Sequence, residues 1–591
     1  MAYMNVITFT ILLLLKSVIN CKIPRTNVET INDAVKCTNK IILKHYAEGS
    51  ELTFLDLSNS GDNDDILMEI HKKFHVTVIS RTYKQFYTYP NEGYVIYAKA
   101  ANDFVNFKYL TKEAPWNPHA KFIAVVESKD DEMRYIFDTF LKYHVFNVVL
   151  IKGLQDSELY TYNPFENYGC GKRFHRIIDY GKCKDTFETN LFPNKLVTGL
   201  QNCIFNIAAP HWPPYSIDPN FNTTRSLGIE QHIFKVISEI EHFTINYTYN
   251  NDAEKFTVIN DEMTAIGPME LLQKNEADVI IGGMMLINDR AAAFDYMYTH
   301  LANVDEIKIM VKKAEIVRNW KNIYIEFQPT VWILLIVSFV IYCLFLILII
   351  RGRDNISIIL KMWDSLFLHV RPIGNNCVVK CAFITWIWFA YMINSYYQST
   401  LVSLNTHPAT EYQISNEQDL EDYHMRPCVS IAIQTLMWAE LGMPMQNVTK
   451  DCEPFLESLK TVTKRDDLYT IILYSIYSYH KFKFVDDYGH LLLYEFPSLN
   501  KVMYAMYFYK GFPLKGIFQN HGLRLRENGL IQKISQDLYY EGSIKHYYAK
   551  KRMEFKIIVP WYIYAFGVGL ASLIFTIEMM LKFVKSASLS V

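Results

Sequence analysis

The chain has 591 residues, more than a single hydrophobic core usually organises, so we expect two or more domains. Its 59 Lys and Arg residues nearly balance its 61 Asp and Glu residues, which removes the compositional case for nucleic-acid binding. Hydrophobic residues make up 50% of the chain, a share that argues against a fully soluble protein and fits water-facing domains joined to a few membrane spans.

The amino-terminal part of the chain is predicted to begin with a signal peptide at residues 1–20. An apolar core from Val6 to Leu15 ends at Lys16, and its length suits a signal peptide better than a membrane span, although an amino-terminal anchor is the alternative. Residues 21–195 contain the strand-like runs "FHVTVIS", "KFIAVVE" and "VFNVVLIKG" with helices between them. They predict a reduced α/β amino-terminal domain.

The next segment, residues 196–327, alternates strands and helices. The stretch "LGIEQHIFKVISEIEHF" carries Ile233 and Ile237 on one helical face, and "MELLQKNEADVIIGGMML" reads as a helix, a turn and a buried strand. This alternation indicates an α/β lobe with a mostly parallel sheet. His211 and Trp212, in the turn "PHWPPYS", either line a cleft or are structural turn residues, and we favour the second interpretation.

A second water-facing segment, residues 407–553, ends in two amphipathic helices within "YKGFPLKGIFQNHGLRLRENGLIQKISQDLYY". Neither this segment nor residues 196–327 resembles a complete two-lobed domain. We therefore expect the two segments to pack together around the membrane insertion. The cleft between their lobes would then be a ligand site that closes by hinge motion.

Three apolar segments are predicted membrane spans, at residues 328–351, 377–406 and 554–581. Residues 352–376 are apolar but interrupted by charges, and they are too few for a full span with turns. They predict a re-entrant pore loop, because irregular backbone at membrane depth is tolerated only where it lines protein or a water-filled cavity. A cytoplasmic tail, residues 582–591, follows the last span.

Glycosylation sequons help to orient the spans, since the Lys and Arg counts on the two sides do not. Asn222, Asn246 and Asn447 begin N-x-Thr triplets in the segments that a signal peptide would place outside the cell. The sequence therefore predicts a multi-pass plasma-membrane protein with an extracellular amino terminus.

The motifs of an enzyme are absent from the sequence. Its ten cysteines form no CxxC metal pattern, and there is no nucleophile elbow, no HExxH and no pair of acids near a histidine. We predict no catalytic residues, no metal and no cofactor. The cysteines are spaced for extracellular disulfides, with Cys170–Cys183 and Cys428–Cys452 as candidate pairs, although spacing alone does not fix the pairing.

Four motifs in a fixed order carry a resemblance to a known family: "EADVIIGGMMLINDRAAAFDY", "SYYQSTLVSLNT", "KGFPLKGIFQNHGLRLRENGLIQK" and "YAFGVGLASLIFTIEMM". The chain from about residue 195 to about residue 583 resembles ionotropic glutamate receptors, in particular the divergent chemosensory ionotropic receptors of insects and other protostomes. The resemblance implies a periplasmic-binding-protein-like bilobal extracellular domain and an α-helical channel domain with three spans and a re-entrant pore loop. It also implies a hetero-tetramer with co-receptor subunits of the same family.

The resemblance also assigns an arginine to the ligand cleft. Arg290 falls where the family binds the carboxylate of its ligand, and an arginine suits this role because its planar fork donates two parallel hydrogen bonds. The alternative is a structural ion pair with Asp289 or Asp295.

The resemblance gives further ligand-site candidates, which are Met285, Gln434, Thr435, Asp486 and Asp487. Met285 stands at the position of a family hydroxyl in the first lobe, and Gln434 and Thr435 lie near the expected helix amino terminus of the second lobe. The adjacent carboxylates correspond to the acid that pairs with the ligand's ammonium group, and a solvated turn is their alternative interpretation.

The second span has a polar extracellular half that would be costly against lipid, so we expect it to face a pore. By alignment with the family, the pore-loop and gate candidates are Leu368, His369, Arg371, Tyr397, Gln398, Ser399 and Thr400. For Arg371, an anchor at the cytoplasmic membrane surface is the favoured alternative.

These features predict a chemosensory ligand-gated channel subunit that passes cations when an extracellular small molecule binds. A non-conducting membrane receptor, or a ligand-binding or modulatory subunit, is the alternative. A membrane enzyme lacks the required motifs, and a transporter is disfavoured because the spans are few and form no inverted repeat.

Overall fold

A computed structural model describes residues 32–547 and 559–588 of the chain. The gaps within these ranges are 59–63, 74–76, 80–89, 128–131, 185–188, 197–199, 222–226, 250–256, 300–303, 318–320, 351–354, 374–375, 407–408, 432, 436, 438–451, 454 and 487–488. The predicted signal peptide lies outside the described residues.

The amino-terminal domain is a sheet with helices on both faces. Its strand order is β2-β1-β3-β4-β5-β6-β7, in which neighbours are parallel from β2 to β5 and antiparallel from β5 to β7. Its elements are α1 (Asp33–His45), β1 (Glu51–Asp56), α2 (Asp64–Lys73), β2 (Thr77–Ile79), β3 (Gly93–Ala98), the 3-10 helix Ala101–Lys112, β4 (Lys121–Val126), α3 (Met133–Lys142), β5 (Val148–Lys152), β6 (Glu158–Tyr162) and β7 (Ile177–Lys182).

The central strands of this sheet are apolar on both sides because both of their faces are covered. Phe122 and Ala124 of β4 belong to the core under α3 and the 3-10 helix, whereas Ile123 and Val125 belong to the core under α1 and α2. The mixed α/β fold predicted from "KFIAVVE" and "VFNVVLIKG" is confirmed.

The segment that follows, up to residue 317, contributes seven strands and three helices to the described residues. They are β8 (Ile204–Ala208), α4 (Ile229–Glu241), β9 (Thr244–Thr248), β10 (Val258–Ile259), β11 (Ala265–Ile266), α5 (Glu270–Gln273), β12 (Val279–Met285), α6 (Asn288–Ala293), β13 (Asp295–Tyr298) and β14 (Asp305–Lys312). Ile233 and Ile237 of α4 are buried as predicted, because their spacing puts them on the core side of the helix.

Four helices follow: α7 (Asn322–Ile325), α8 (Pro329–Ile350), α9 (Asn355–Leu366) and α10 (Cys377–Thr406). The remaining elements are α11 (Glu417–Asp422), β15 (Arg426–Pro427), α12 (Phe455–Lys464), β16 (Leu468–Leu473), α13 (Tyr474–His480), β17 (Leu493–Val502), β18 (Tyr504–Phe508), α14 (Lys515–Glu527), α15 (Leu530–Tyr547) and α16 (Val559–Ser588).

Two sheets are each built from both water-facing segments. In the five-stranded sheet, of order β13-β18-β12-β8-β9, strand β18 lies between β12 and β13 and is antiparallel to both. In the four-stranded sheet, of order β15-β16-β14-β17, strand β14 lies between β16 and β17. Helices α8 to α10 therefore interrupt one folded unit, because neither sheet is complete without strands from both sides of them.

Three helical segments are long and apolar enough to cross a membrane: Pro329–Ile350, Cys377–Leu404 and Trp561–Lys582. They lie within α8, α10 and α16, and they agree with the three predicted spans. Their length and composition are consistent with a membrane protein.

Helix α9 packs against α10 and ends partway along it. The indole N–H of Trp386 donates to the Ser365 hydroxyl at 2.9 Å, and the Asn394 side chain donates to the Leu366 carbonyl at 3.1 Å. From Leu366 the chain then returns to the start of α10 at Cys377, about 25 Å along the helix from Asn394. Helix α9 thus runs beside α10, and the chain after it turns back, because the Lys361 side chain donates to the Pro372 carbonyl at 3.0 Å.

Three disulfides are present among the described cysteines, and one predicted pair is wrong. Cys428–Cys452 forms as predicted, but Cys170 pairs with Cys203 and Cys183 pairs with Cys37. The predicted Cys170–Cys183 pair rested on nearness in sequence. The fold instead brings the end of β7 beside α1, 146 residues away in the chain.

Candidate functional site

Arg290 lies on α6, and its side chain points into the protein. It is only 3% exposed, and its guanidinium donates to the Met285 carbonyl at 3.3 Å and to the Thr257 carbonyl at 3.0 Å. The Met285 carbonyl also accepts a 2.8 Å hydrogen bond from the Tyr507 hydroxyl. Arg290 and Met285 therefore lie together, joined by a hydrogen bond from the guanidinium to a backbone carbonyl, and their roles in ligand binding stay predictions.

Asp295, one alternative partner for Arg290, makes its hydrogen bonds with other residues. Its carboxylate accepts from the His119 ring at 2.7 Å, from the backbone N–H groups of Gly511 and Phe512, and from Lys515 at 3.1 Å. Burial by itself would raise the pKa of Asp295, but the hydrogen bond and charge of His119 and the charge of Lys515 lower it below its ordinary value. Asp295 therefore joins the amino-terminal domain to the five-stranded sheet.

The second-segment candidates Gln434 and Thr435 make local helical contacts. The Gln434 amide donates to the Val429 carbonyl at 3.2 Å, and the Thr435 hydroxyl donates to the Ile431 carbonyl at 2.9 Å. Their neighbour Val429 belongs to an apolar cluster that also contains Tyr215, Tyr477 and Tyr504 and packs against Met285 and Trp212. The predicted cleft candidates thus border an apolar junction.

Asp486 lies in a turn and accepts from the backbone N–H of His490 at 2.8 Å and from its ring at 3.1 Å. The Asp486 carboxylate is thus hydrogen-bonded within its own turn, and its role in ligand binding stays a prediction. Asp487 lies outside the described residues.

The junction between the two sheets contains a polar cluster that the motifs did not indicate. The Asp305 carboxylate accepts from the Ser475 N–H at 2.9 Å, from the Ser475 hydroxyl at 2.5 Å and from the Tyr504 hydroxyl at 2.5 Å. The Tyr215 hydroxyl donates to the Ser475 hydroxyl oxygen at 2.8 Å. Burial raises the pKa of both tyrosines well above the ordinary value, so both phenols remain neutral donors.

A weak signal for part of this cluster exists in the strand register. Strands β14 and β16 are antiparallel, with Ile307 opposite Leu473. Asp305 is two residues before Ile307 and Ser475 is two residues after Leu473, so continuing the register brings the two together. The contribution of Tyr215 has no such signal, because a loop carries it.

The pore-loop candidates lie in the turn that follows α9. Leu368 has a positive φ of 62°, the His369 N–H donates to the Asp364 carbonyl at 3.0 Å, and Arg371 forms a 3.4 Å ion pair with the Asp364 carboxylate. Arg371 is 60% exposed on its side chain, so this pair is a weak constraint. Neither the pore role nor the membrane-anchor role of Arg371 is decided by these contacts, and both stay predictions.

The gate candidates lie on α10. Tyr397 packs against Phe327 and Trp332, with ring centroids 6.0 and 6.3 Å away. The Gln398 amide donates to the Asn394 side chain at 2.8 Å, whereas the Thr400 hydroxyl donates to a backbone carbonyl one turn earlier and Ser399 is exposed. Tyr397 therefore connects the predicted gate to the chain that enters α8.

Asn246, one predicted glycosylation site, is exposed on strand β9, and its amide donates to the Asn206 side chain at 3.0 Å. The other two, Asn222 and Asn447, lie outside the described residues. Within the described part of the chain, no group of three or more His, Cys, Asp or Glu side chains is arranged to hold a metal ion.

Compared with known proteins, the chain matches no family model and no curated protein.

Proposed function

We propose that this chain is a subunit of a ligand-gated cation channel of the ionotropic-receptor type, located in the plasma membrane with its amino terminus outside. The observation that carries the proposal is the pair of sheets shared by the segments on either side of α8 to α10. Because the membrane helices are inserted into that folded unit, any rearrangement of the two sheets pulls on α8 and α10.

A bilobal extracellular domain of the periplasmic-binding-protein type is part of this proposal. The chain passes from the five-stranded to the four-stranded sheet between β13 and β14, and it returns between β17 and β18. Most of the buried apolar side chains of each sheet form a core of their own, and the core of the four-stranded sheet also takes in Tyr215 and Tyr504. Two crossings between separate cores favour a hinge, because such short connections can absorb backbone rotation while the cores stay rigid.

The pore is proposed to form from α9, its returning turn and the polar half of α10. The hydrogen bonds of Trp386 and Asn394 to α9 support a re-entrant loop, since they hold a short, charge-bearing segment along one face of a predicted span. The segment Trp561–Lys582 has none of its residues buried in the single chain, which supports a multi-subunit assembly such as a hetero-tetramer.

The ligand is proposed to be an extracellular small molecule in a chemosensory role. A second candidate, a modulatory subunit that binds no ligand itself, is favoured by a specific observation. Arg290 is buried with its guanidinium on two backbone carbonyls, and the apolar core of the four-stranded sheet extends to Tyr215 and packs against Met285.

The test is co-expression with a less divergent co-receptor of the same family, recording current over a panel of acids, amines and salts. The expected result is a current that needs both chains. Ser399→Trp should change opening or leak while surface delivery, measured by labelling, stays the same. If the chain reaches the surface and no partner yields a current, the channel proposal is wrong.

Arg290→Ala separates the two candidates. A right-shifted dose response would support direct ligand binding by this subunit. An unchanged response at normal surface expression would support the modulatory role. Asp289→Asn, an exposed neighbour on the same helix, is the matched control.

A further inference from the structure

Tyr215 is a fully buried side chain carried by the loop that follows β8. Its ring packs against the ring of Tyr504, with centroids 4.7 Å apart. It belongs to the apolar cluster that includes Val429 and Tyr477 of the second segment. One side chain from the first segment therefore fills space between the two sheets.

The five-stranded sheet is shaped to accept this ring. Gly282 and Gly283 of β12 both have positive φ angles, of 120° and 66°. A Cβ atom on Gly283 would lie 2.4 Å from Tyr215 Cδ2, so only glycine leaves room for the ring. The buried carboxylate of Glu230 accepts from both glycine N–H groups, at 2.5 and 3.1 Å, and holds this backbone in position.

The hydroxyl of Tyr215 reaches the other sheet. It donates to the Ser475 hydroxyl oxygen at 2.8 Å, and Ser475 is the second residue of α13, the helix that follows β16. Ser475 in turn is fixed by its two hydrogen bonds to Asp305. The ring is thus seated against Gly283 and Tyr504 of the five-stranded sheet, and its hydroxyl is bound by Ser475, which follows a strand of the four-stranded sheet.

We propose that Tyr215 occupies the place between the lobes that a small-molecule ligand would otherwise take, and so determines what this subunit can bind. The inference rests on the proposed channel function and refines its ligand site. A cleft between lobes is the usual ligand position in a bilobal domain, and here a phenol ring with a bound hydroxyl fills it. The lobes of this subunit therefore close without a ligand, and ligand-driven opening comes from partner subunits.

A consequence is that removing the ring creates a site for a molecule of the same shape. Tyr215→Ala leaves a cavity with aromatic and aliphatic walls, and apolar cavities of that size bind small aromatic molecules. The Ser475 hydroxyl remains at one end to bind a phenolic OH. The class of ligand that the vacated cleft accepts is therefore a small phenol, and p-cresol, which keeps the ring and hydroxyl of tyrosine, is the probe.

The experiment measures hydrogen exchange of the purified full chain in detergent, at the backbone amides of α13. We expect Tyr215→Ala to raise exchange there by about 100-fold, because loss of a large buried ring opens the contact between the sheets. Millimolar p-cresol should restore slow exchange in Tyr215→Ala, should leave wild type unchanged and should fail in the double variant with Ser475→Ala.

Two variants guard against a trivial result. Tyr215→Phe keeps the ring and loses only the hydroxyl, so it should fold and raise α13 exchange by about tenfold. Tyr162 is an equally buried tyrosine of the amino-terminal domain, and its hydroxyl donates to the Val145 carbonyl. Tyr162→Ala should leave hydrogen exchange at α13 unchanged.

Two results would overturn the inference. One is unchanged α13 exchange in both Tyr215 variants, and the other is a failure of p-cresol to slow exchange in Tyr215→Ala. Hydrogen exchange is measured without recording any current, so this inference and the channel proposal can fail independently of each other. Restored exchange with no current from any partner combination would keep Tyr215 as the cleft occupant and reject the channel.

Discussion

Two buried carboxylates hold two junctions of this molecule, and their partners differ in kind. Asp295, between the amino-terminal domain and the five-stranded sheet, binds His119, Lys515 and two backbone N–H groups. Asp305, between the five-stranded and four-stranded sheets, receives its side-chain hydrogen bonds from the neutral hydroxyls of Ser475 and Tyr504.

The difference indicates which junction is rigid. A charged pair in a buried site is costly to separate, because each ion left alone loses its compensation. A neutral hydroxyl group can leave one acceptor for another, or for water, at a smaller cost in free energy. The first junction also carries the Cys170–Cys203 disulfide, which links the amino-terminal domain to the residue directly before β8. We therefore expect the amino-terminal domain and the five-stranded sheet to move as one body, and the second junction to be the one that opens.

The largest effect is expected from Asp295→Asn. Removing one charge of a buried network leaves its partners uncompensated, so local stability of the first junction should fall by about 3–5 kcal/mol. Hydrogen exchange at the Gly511 and Phe512 amides measures this loss. Asp289→Asn, an exposed acid on α6, is the control and should change nothing there. Unchanged exchange in Asp295→Asn would contradict the view that the first junction is the more rigid of the two.

The next effect is expected from Cys170→Ser with Cys203→Ser. The bond closes a stretch with a sequence separation of 33 residues, and in the loop-entropy account such a cross-link contributes about 3–4 kcal/mol. The double variant should lower the melting temperature of the protein. It should also make the contact between the amino-terminal domain and the five-stranded sheet accessible to limited proteolysis. The Cys428–Cys452 pair, removed in the same way, should affect the four-stranded sheet and leave the first junction intact.

Acid should weaken the first junction through His144, which stacks on Tyr509 with ring centroids 4.1 Å apart. Burial lowers the pKa of His144 from 6.5 to about 4, so its contribution is complete above pH 6.5 and is lost as the pH falls toward 4. The full loss amounts to about 3 kcal/mol. Hydrogen exchange at Tyr509 between pH 6.5 and 4, corrected for intrinsic rates, should show it, and His144→Phe should remove the pH dependence.

The smallest effect is expected at the second junction. Tyr504→Phe deletes a hydrogen bond to the Asp305 carboxylate and should cost about 1.5–3 kcal/mol. Tyr507→Phe, in the same strand, deletes a bond to the neutral Met285 carbonyl and should cost about 1 kcal/mol. Hydrogen exchange at the backbone amides of β18 measures the loss of stability in each variant. An equal loss in both variants would show that the charge of Asp305 adds nothing to this junction.

The sequence by itself determined the elements whose pattern is local. The three helices that are long and apolar enough to cross a membrane follow from apolar stretches of about twenty residues. Helix α4 follows from the spacing of Ile233 and Ile237. The buried strands β4 and β5 follow from their runs of β-branched residues. In each case a short window of chain contains the whole physical cause.

The tertiary structure alone decided the contacts between distant segments. Tyr215 and Ser475 are 260 residues apart, and the partners of Cys183 and Asp295 are 146 and 176 residues away. The inward direction of the Arg290 side chain also depends on Thr257, 33 residues earlier. Its role in ligand binding stays a prediction. Periodicity determines which face of an element is buried, but only the path of the loops and the register of the sheets determine what lies against that face.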